Sequence, residues 1–113
     1  MHELTVIENV ARISAKVAEE NNLKSVKAIH LDIGCMQHLN EEILKHGFDA
    51  VKEGTVLAAA ELKFHRLDVK LRCNSCLNLF SPGEGKFFCP HCGTPDTSVI
   101  QGMELRIKSI EGE

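Results

Sequence analysis

An α+β fold, with two helices, a small mixed three-stranded sheet and an inserted zinc-ribbon-like subdomain, is what this sequence predicts. Three observations carry the prediction. Apolar residues recur at helical and then at alternating spacing, the sequence of helix then strand occurs twice, and a segment with two C-x2-C pairs precedes a last alternating stretch.

The first helix is read over residues 4–22, where Val6, Val10, Ile13 and Val17 follow one another at intervals of four, three and four. Ile7, Ala11 and Ala18 widen that stripe into one buried face. Glu3 suits the positive end of the helix, and Asn21 and Asn22 end it. Residues 26–33 then alternate, with Ile29, Leu31 and Ile33 on the core side and His30 and Asp32 opposite, until Gly34 breaks the run. Asn40 is a good N-cap for a second helix that starts with Glu41 and Glu42, buries Ile43, Leu44, Phe48 and Val51, and ends at a C-cap near Gly54. Residues 56–65 return to alternation through Leu62 and Phe64, and Met103, Leu105 and Ile107 alternate with Glu104, Arg106 and Lys108. Between these strands, residues 69–96 hold four of the five cysteines and three of the five phenylalanines, and are read as a separate domain within a discontinuous one made of 1–68 and 97–113.

Composition narrows the function. The chain has 113 residues, 43% of them hydrophobic, with no Trp or Tyr, so its core rests on Val, Ile, Leu and Ala and gains from a local staple. A net charge of -3 gives no electrostatic case for nucleic acid or an anionic membrane. No apolar run approaches the ~20 residues of a membrane span, and MHELTVIENVARIS lacks the basic start and apolar core of a signal peptide. The expected location is cytoplasmic, with no nucleic-acid or membrane partner.

Cys73, Cys76, Cys89 and Cys92 form two C-x2-C pairs with twelve residues between them, while Cys35 stands alone. Each short loop presents two sulfurs, and two loops close a tetrahedral shell, which leaves no open position and points to a structural metal. Zinc suits the set, and so does mononuclear iron. A redox dithiol would leave one pair unexplained. Gly93 relieves the backbone of the second loop, while Leu71 and the pair Phe87 and Phe88 read as strands leading into the loops, with the phenylalanines packing a small core. Lys70, Arg72 and Lys86 are balanced by Glu84 and Asp96, and His91 reads as a turn residue.

The opening Met1 and His2 offer a second kind of site. An amine, the backbone nitrogens that follow and an imidazole make a compact nitrogen set of the kind Ni(II) and Cu(II) favour. Methionine is expected to stay in place before histidine.

MHEL before an amphipathic helix, then LDIG, EGT, C-x2-C, C-P-x-C-G and ELRIKSIE resemble the HypA/HybF family of hydrogenase nickel-incorporation proteins, in the same order along essentially the whole chain. The resemblance implies a nickel metallochaperone, with Ni(2+) as cargo and structural Zn(2+), that delivers nickel towards the large-subunit precursor of a [NiFe]-hydrogenase. It also implies a HypB-like GTPase partner and, in some organisms, service to urease through its accessory proteins. By the match at MHE, His2 is the nickel ligand, with Met1 and Glu3 as backbone donors and the Glu3 side chain tuning the site; the four cysteines hold zinc. The discontinuous domain of 1–68 and 97–113 is then the nickel-binding one.

Two departures stand out. Leu77 replaces the glycine common in the first loop, and Cys35, Met36 and His38 follow LDIG in place of acidic and small residues, so Cys35, His38 and Asn40 are candidate auxiliary donors. His30 and His65 are expected to be exposed or partly packed, and His46 to lie on the polar side of the second helix. No nucleophile with a partner and no phosphate loop supports an enzyme, and the expected state is a monomer or weak homodimer. The rival reading is a zinc-ribbon adaptor that binds protein or nucleic acid without a nickel role.

Overall fold

A computed structural model describes residues 3–83 and 86–113. The elements run α1 (Glu3–Glu20), β1 (Val26–Gly34), α2 (Glu41–Val51), β2 (Glu61–Leu67), β3 (Lys70–Cys73), β4 (Leu79–Phe80), β5 (Thr97–Gln101) and β6 (Leu105–Gly112). They divide into two compact units, the first of Met1–Leu31, Leu39–His65 and Arg106–Glu113, the second of Asp32–His38 and Arg66–Leu105.

In the first unit, α1 buries Val6, Ile7, Val10, Ser14 and Ala18. This face is rotated from the expected one: Ile13 is exposed, and it lines a shallow groove with Val17, Leu23, Ile107 and Ile110. The period was right, but two apolar stripes share the helix, and Ile7 at full burial belongs to the deeper one. Ser14 falls inside that stripe, and its hydroxyl finds no hydrogen-bond partner among the described residues.

Asn40 caps α2 as expected, its Oδ1 accepting from the N–H groups of Glu42 at 2.9 Å and Ile43 at 3.1 Å. The helix packs against α1, with Gly47 allowing close approach: a Cβ there would stand 3.1 Å from Ile7 Cγ2. Leu44 and Phe48 are fully buried, each contributing on the order of 2 kcal/mol of apolar transfer. Ile43, by contrast, is exposed. The helix ends at Val51 with Lys52 as its C-cap, and Gly54, at φ +73°, sits beyond it in a turn rather than at the cap.

β1 lies between β2 and β6. Ser25 and Glu113 exchange backbone hydrogen bonds and Gly34 N–H donates to the Glu104 carbonyl, so β6 runs antiparallel to β1. Val26 N–H reaches the Val56 carbonyl and Cys35 N–H the Leu67 carbonyl, so β2 runs parallel to β1, reached by the crossover through α2 that parallel pairing requires. The sheet is mixed, as expected. Residues 56–60, expected as strand, form turns instead: Ala58 N–H returns to the Thr55 carbonyl, Ala60 N–H to the Leu57 carbonyl, and the Thr55 hydroxyl accepts from Leu57 N–H. Leu57 and Ala60 are still buried, but three residues apart, so the alternation through Leu62 and Phe64 belongs to β2 alone. β1 is also less amphipathic than it reads, because Ala28 and Asp32 on its supposed solvent side are buried.

In the second unit, β3 is the centre of a sheet ordered β4-β3-β5. Leu71 stands opposite Phe80 on one side and Val99 on the other, and Cys73 stands opposite Thr97. Residues 97–101 therefore pair with the cysteine-bearing segment, and the compact unit is wider than the expected 69–96. Its crossing point needs glycine: a Cβ on Gly34 would lie 2.0 Å from the Gly102 carbonyl oxygen. Among the described residues from 66 to 105, only Leu71, Cys73 and Cys89 are buried hydrophobics. Phe87 and Phe88 are exposed and lie outside any strand, so they do not pack the small core expected of them.

Candidate metal centre

The two C-x2-C loops fold in the same way. Cys73 N–H donates to the Asn78 carbonyl and Leu77 N–H to the Cys73 carbonyl; Cys89 N–H donates to the Thr94 carbonyl and Gly93 N–H to the Cys89 carbonyl. In each loop the residue four past the first cysteine takes a left-handed backbone, Leu77 at φ 63° and Gly93 at φ 76°. That turn aims backbone N–H groups at sulfur. Cys76 N–H lies 3.3 Å from Cys73 Sγ, and His91 and Cys92 N–H lie 3.4 and 3.5 Å from Cys89 Sγ. The His91 side chain is exposed, as expected of a turn residue.

The four sulfurs lie within 4.8 Å of one another, with 3.4 Å between Cys73 and Cys92 and 3.7 Å between Cys76 and Cys89. Metal–sulfur bonds of ~2.3 Å at tetrahedral angles require sulfurs about 3.8 Å apart, so the cluster fits a four-coordinate ion after small adjustments. The N–H groups directed at Cys73 and Cys89 are the outer partners that thiolate ligands take. Cys73 and Cys89 are buried while Cys76 and Cys92 are exposed, so one side of the centre faces solvent.

The loops split the acidity of their thiols. The Cys76 N–H holds the Cys73 thiol below its ordinary range. Burial pushes the Cys89 thiol up, but the Cys92 and His91 N–H groups outweigh it and hold it at about 6. The Asn78 N–H acts to lower Cys76, yet burial and the neighbouring thiols push it up to about 12. Cys92 is raised too: the Thr94 N–H is outweighed by the hydrogen bond to Cys73 and by burial. In each loop the first cysteine is thus the more acidic and the second the less acidic.

Elsewhere the expected donors are distributed differently. Met1 and His2 lie outside the described residues. Glu3 opens α1, and its Oε2 accepts from the Asn40 N–H at 3.3 Å. The Asn40 side-chain oxygen caps α2, accepting from the N–H groups of Glu42 and Ile43. Cys35 and His38 are exposed. Among the described residues, the four cysteines are the one group of three or more His, Cys, Asp or Glu side chains gathered closely enough to share a metal.

One polar cluster escaped the sequence reading. His30 Nδ1 stands 2.8 Å from His65 Nε2, and His30 Nε2 is 3.2 Å from Glu111 Oε1, so a chain of side chains crosses β2, β1 and β6. Alternation placed both histidines on strands, but which strands are neighbours is a matter of topology.

No helix among the described residues is long and apolar enough to cross a membrane. Residues 1–112 match the profile of the HypA family, described as hydrogenase/urease nickel incorporation, metallochaperone. The chain is 33% identical over 113 residues to the hydrogenase maturation factor HypA of Aquifex aeolicus, covering 100% of this chain and 98% of that protein. It is 34% identical over 112 residues to the factor of the same name from Chloroflexus aggregans, covering 98% of each. In fold it is similar to the solution structure of the Ni metallochaperone HypA from Helicobacter pylori, with a TM-score of 0.74 at 24% identity over 99% of this chain and 97% of that one. A second solution structure, of HypA protein, aligns with a TM-score of 0.81 at 23% identity over 100% of this chain and 97% of that one.

Proposed function

We propose, from the premise that this chain belongs to the HypA family of hydrogenase/urease nickel-incorporation metallochaperones, that it binds one Ni(II) at its N-terminus and delivers it for the maturation of [NiFe]-hydrogenase. The observation that carries the reading is family membership over residues 1–112, which includes the opening MHE. His2 supplies an imidazole and a backbone nitrogen, the Met1 amine and the Glu3 backbone complete a nitrogen set, and Ni(II) favours such tetragonal surroundings.

The second metal is zinc, held by Cys73, Cys76, Cys89 and Cys92 in the second compact unit. Sulfur spacing and the N–H groups aimed at sulfur support this assignment. Zinc closes that shell, so the centre organises the unit and is not a catalytic position. The protein acts without chemistry of its own on a substrate, in the cytoplasm, as a monomer or weak homodimer. Its partners are a GTPase of the maturation pathway and the large-subunit precursor, with urease accessory proteins as a further destination.

A calorimetric nickel titration of the zinc-loaded protein, its own N-terminus intact, tests this against His2→Ala and a form with one glycine added before Met1. One nickel bound at micromolar or tighter affinity, lost in both variants, is the expected result. Equal binding by all three would remove the nickel role and leave a zinc-ribbon adaptor.

A further inference from the structure

We infer that the Glu3 carboxylate is a positioning group: it holds the first residue of α1 on the cap of α2, leaves nickel to nitrogen donors, and makes the start of α2 respond to nickel. The inference rests on the N-terminal nickel reading above. Its own observation is the hydrogen bond from Asn40 N–H to Glu3 Oε2, 37 residues away in sequence.

Asn40 is committed at each of its polar groups that meets a helix. Its carbonyl accepts from Leu44 N–H at 3.0 Å, its Oδ1 accepts from Glu42 and Ile43, and its own N–H goes to Glu3. A carboxylate here meets the positive end of α2, where negative charge is favoured. The same bond draws that carboxylate towards α2. Glu3 is also the residue whose backbone nitrogen serves the proposed nickel set. One residue therefore carries a donor on its main chain and a strut on its side chain. Nickel that fixes the Glu3 peptide restrains the strut, and the strut restrains the cap.

The test uses the full zinc-loaded chain with Glu3→Gln, Glu3→Ala and His2→Ala. Glutamine keeps an oxygen that can accept the Asn40 N–H but has no anionic ligand; alanine has neither. In the nickel-free proteins, amide exchange at Asn40 is expected to quicken by about tenfold or more in Glu3→Ala and to stay near the parent rate in Glu3→Gln. With one equivalent of nickel, Glu3→Gln should keep the parent d–d absorption spectrum and bind within about threefold of its affinity. Nickel should slow exchange at Asn40 in the parent and in Glu3→Gln, and leave it unchanged in Glu3→Ala.

An altered spectrum in Glu3→Gln would make the carboxylate a ligand and overturn the inference. So would Asn40 exchange that is indifferent to Glu3→Ala in the nickel-free protein. Undiminished nickel binding by His2→Ala overturns the nickel site itself and the coupling with it, whereas the nickel-free exchange still decides whether the strut exists. Glu3→Gln keeps the question answerable if Glu3→Ala folds poorly.

Discussion

Leu77 and Gly93 occupy the same place in two loops of the same hydrogen-bond pattern, yet one has a side chain and the other none. For an L-residue the left-handed backbone at φ 63° costs roughly 1–2 kcal/mol, a cost that glycine escapes. Leu77 is 67% exposed, so burial does little to offset it. Leu77→Gly should therefore stabilise the metal-loaded protein by about 0.5–1 kcal/mol, the gain being trimmed by the larger entropy of glycine in the unfolded chain. Thermal unfolding with metal in excess checks this; an unchanged or lower midpoint would contradict it. Ser14 shows the opposite kind of compromise, a hydroxyl placed in an apolar face with no visible return among the described residues.

At the scale of elements, the paired loops set how metal binding depends on pH. Four thiolates are needed, and before binding Cys76, pushed up to about 12, and Cys92, also raised, carry protons near neutrality. Binding at pH 7–8 should then release about two to three protons, two from these thiols and the rest from Cys73, and log K should rise by about two to three units per pH unit. Below about pH 6 Cys89 takes up a proton as well, so the slope steepens on the acid side. Zinc calorimetry in buffers of different ionisation enthalpy counts the protons; a release near zero or near four would refute the split. The loops were legible in the sequence because their chemistry is local: two cysteines and one turn suffice to define each. Helices and β1 were legible from their periods, and Asn40 from its place before Glu41 and Glu42. β5 was not, because its pairing with β3 joins residues from 24 to 31 positions apart and leaves no period in so short a strand. The alternation of Leu62 and Phe64 does not extend back through 56–60, where the hydrogen bonds are local and the buried Leu57 and Ala60 stand three residues apart. The bond between Glu3 and Asn40 and the chain from His65 through His30 to Glu111 were hidden for the same reason as β5, since each joins separate elements.

For the molecule as a whole, the two units draw their stability from different sources. The first has a core of buried aliphatic residues and Phe48 from both helices and the sheet. Among its described residues the second has Ile33, Leu71, Cys73 and Cys89 as its buried hydrophobics, too little to hold a unit of that size without help. A structural zinc site supplies on the order of 10 kcal/mol. Removing the metal with a strong chelator should abolish exchange protection at Cys73, Leu77, Cys89 and Gly93 while α1 and α2 keep theirs. Simultaneous loss in both units, followed by hydrogen exchange, would show one cooperative block instead.

The unequal loops also impose an order in time. A metal ion that reaches the empty module meets one loop already relaxed at Gly93 and already carrying a thiolate at Cys89 at neutral pH. The other loop carries a leucine in an unfavourable backbone. Capture is then expected to begin at Cys89 and Cys92 and to finish at Cys73 and Cys76. Since the path runs the same way in reverse, the loop that closes last is the first to let go.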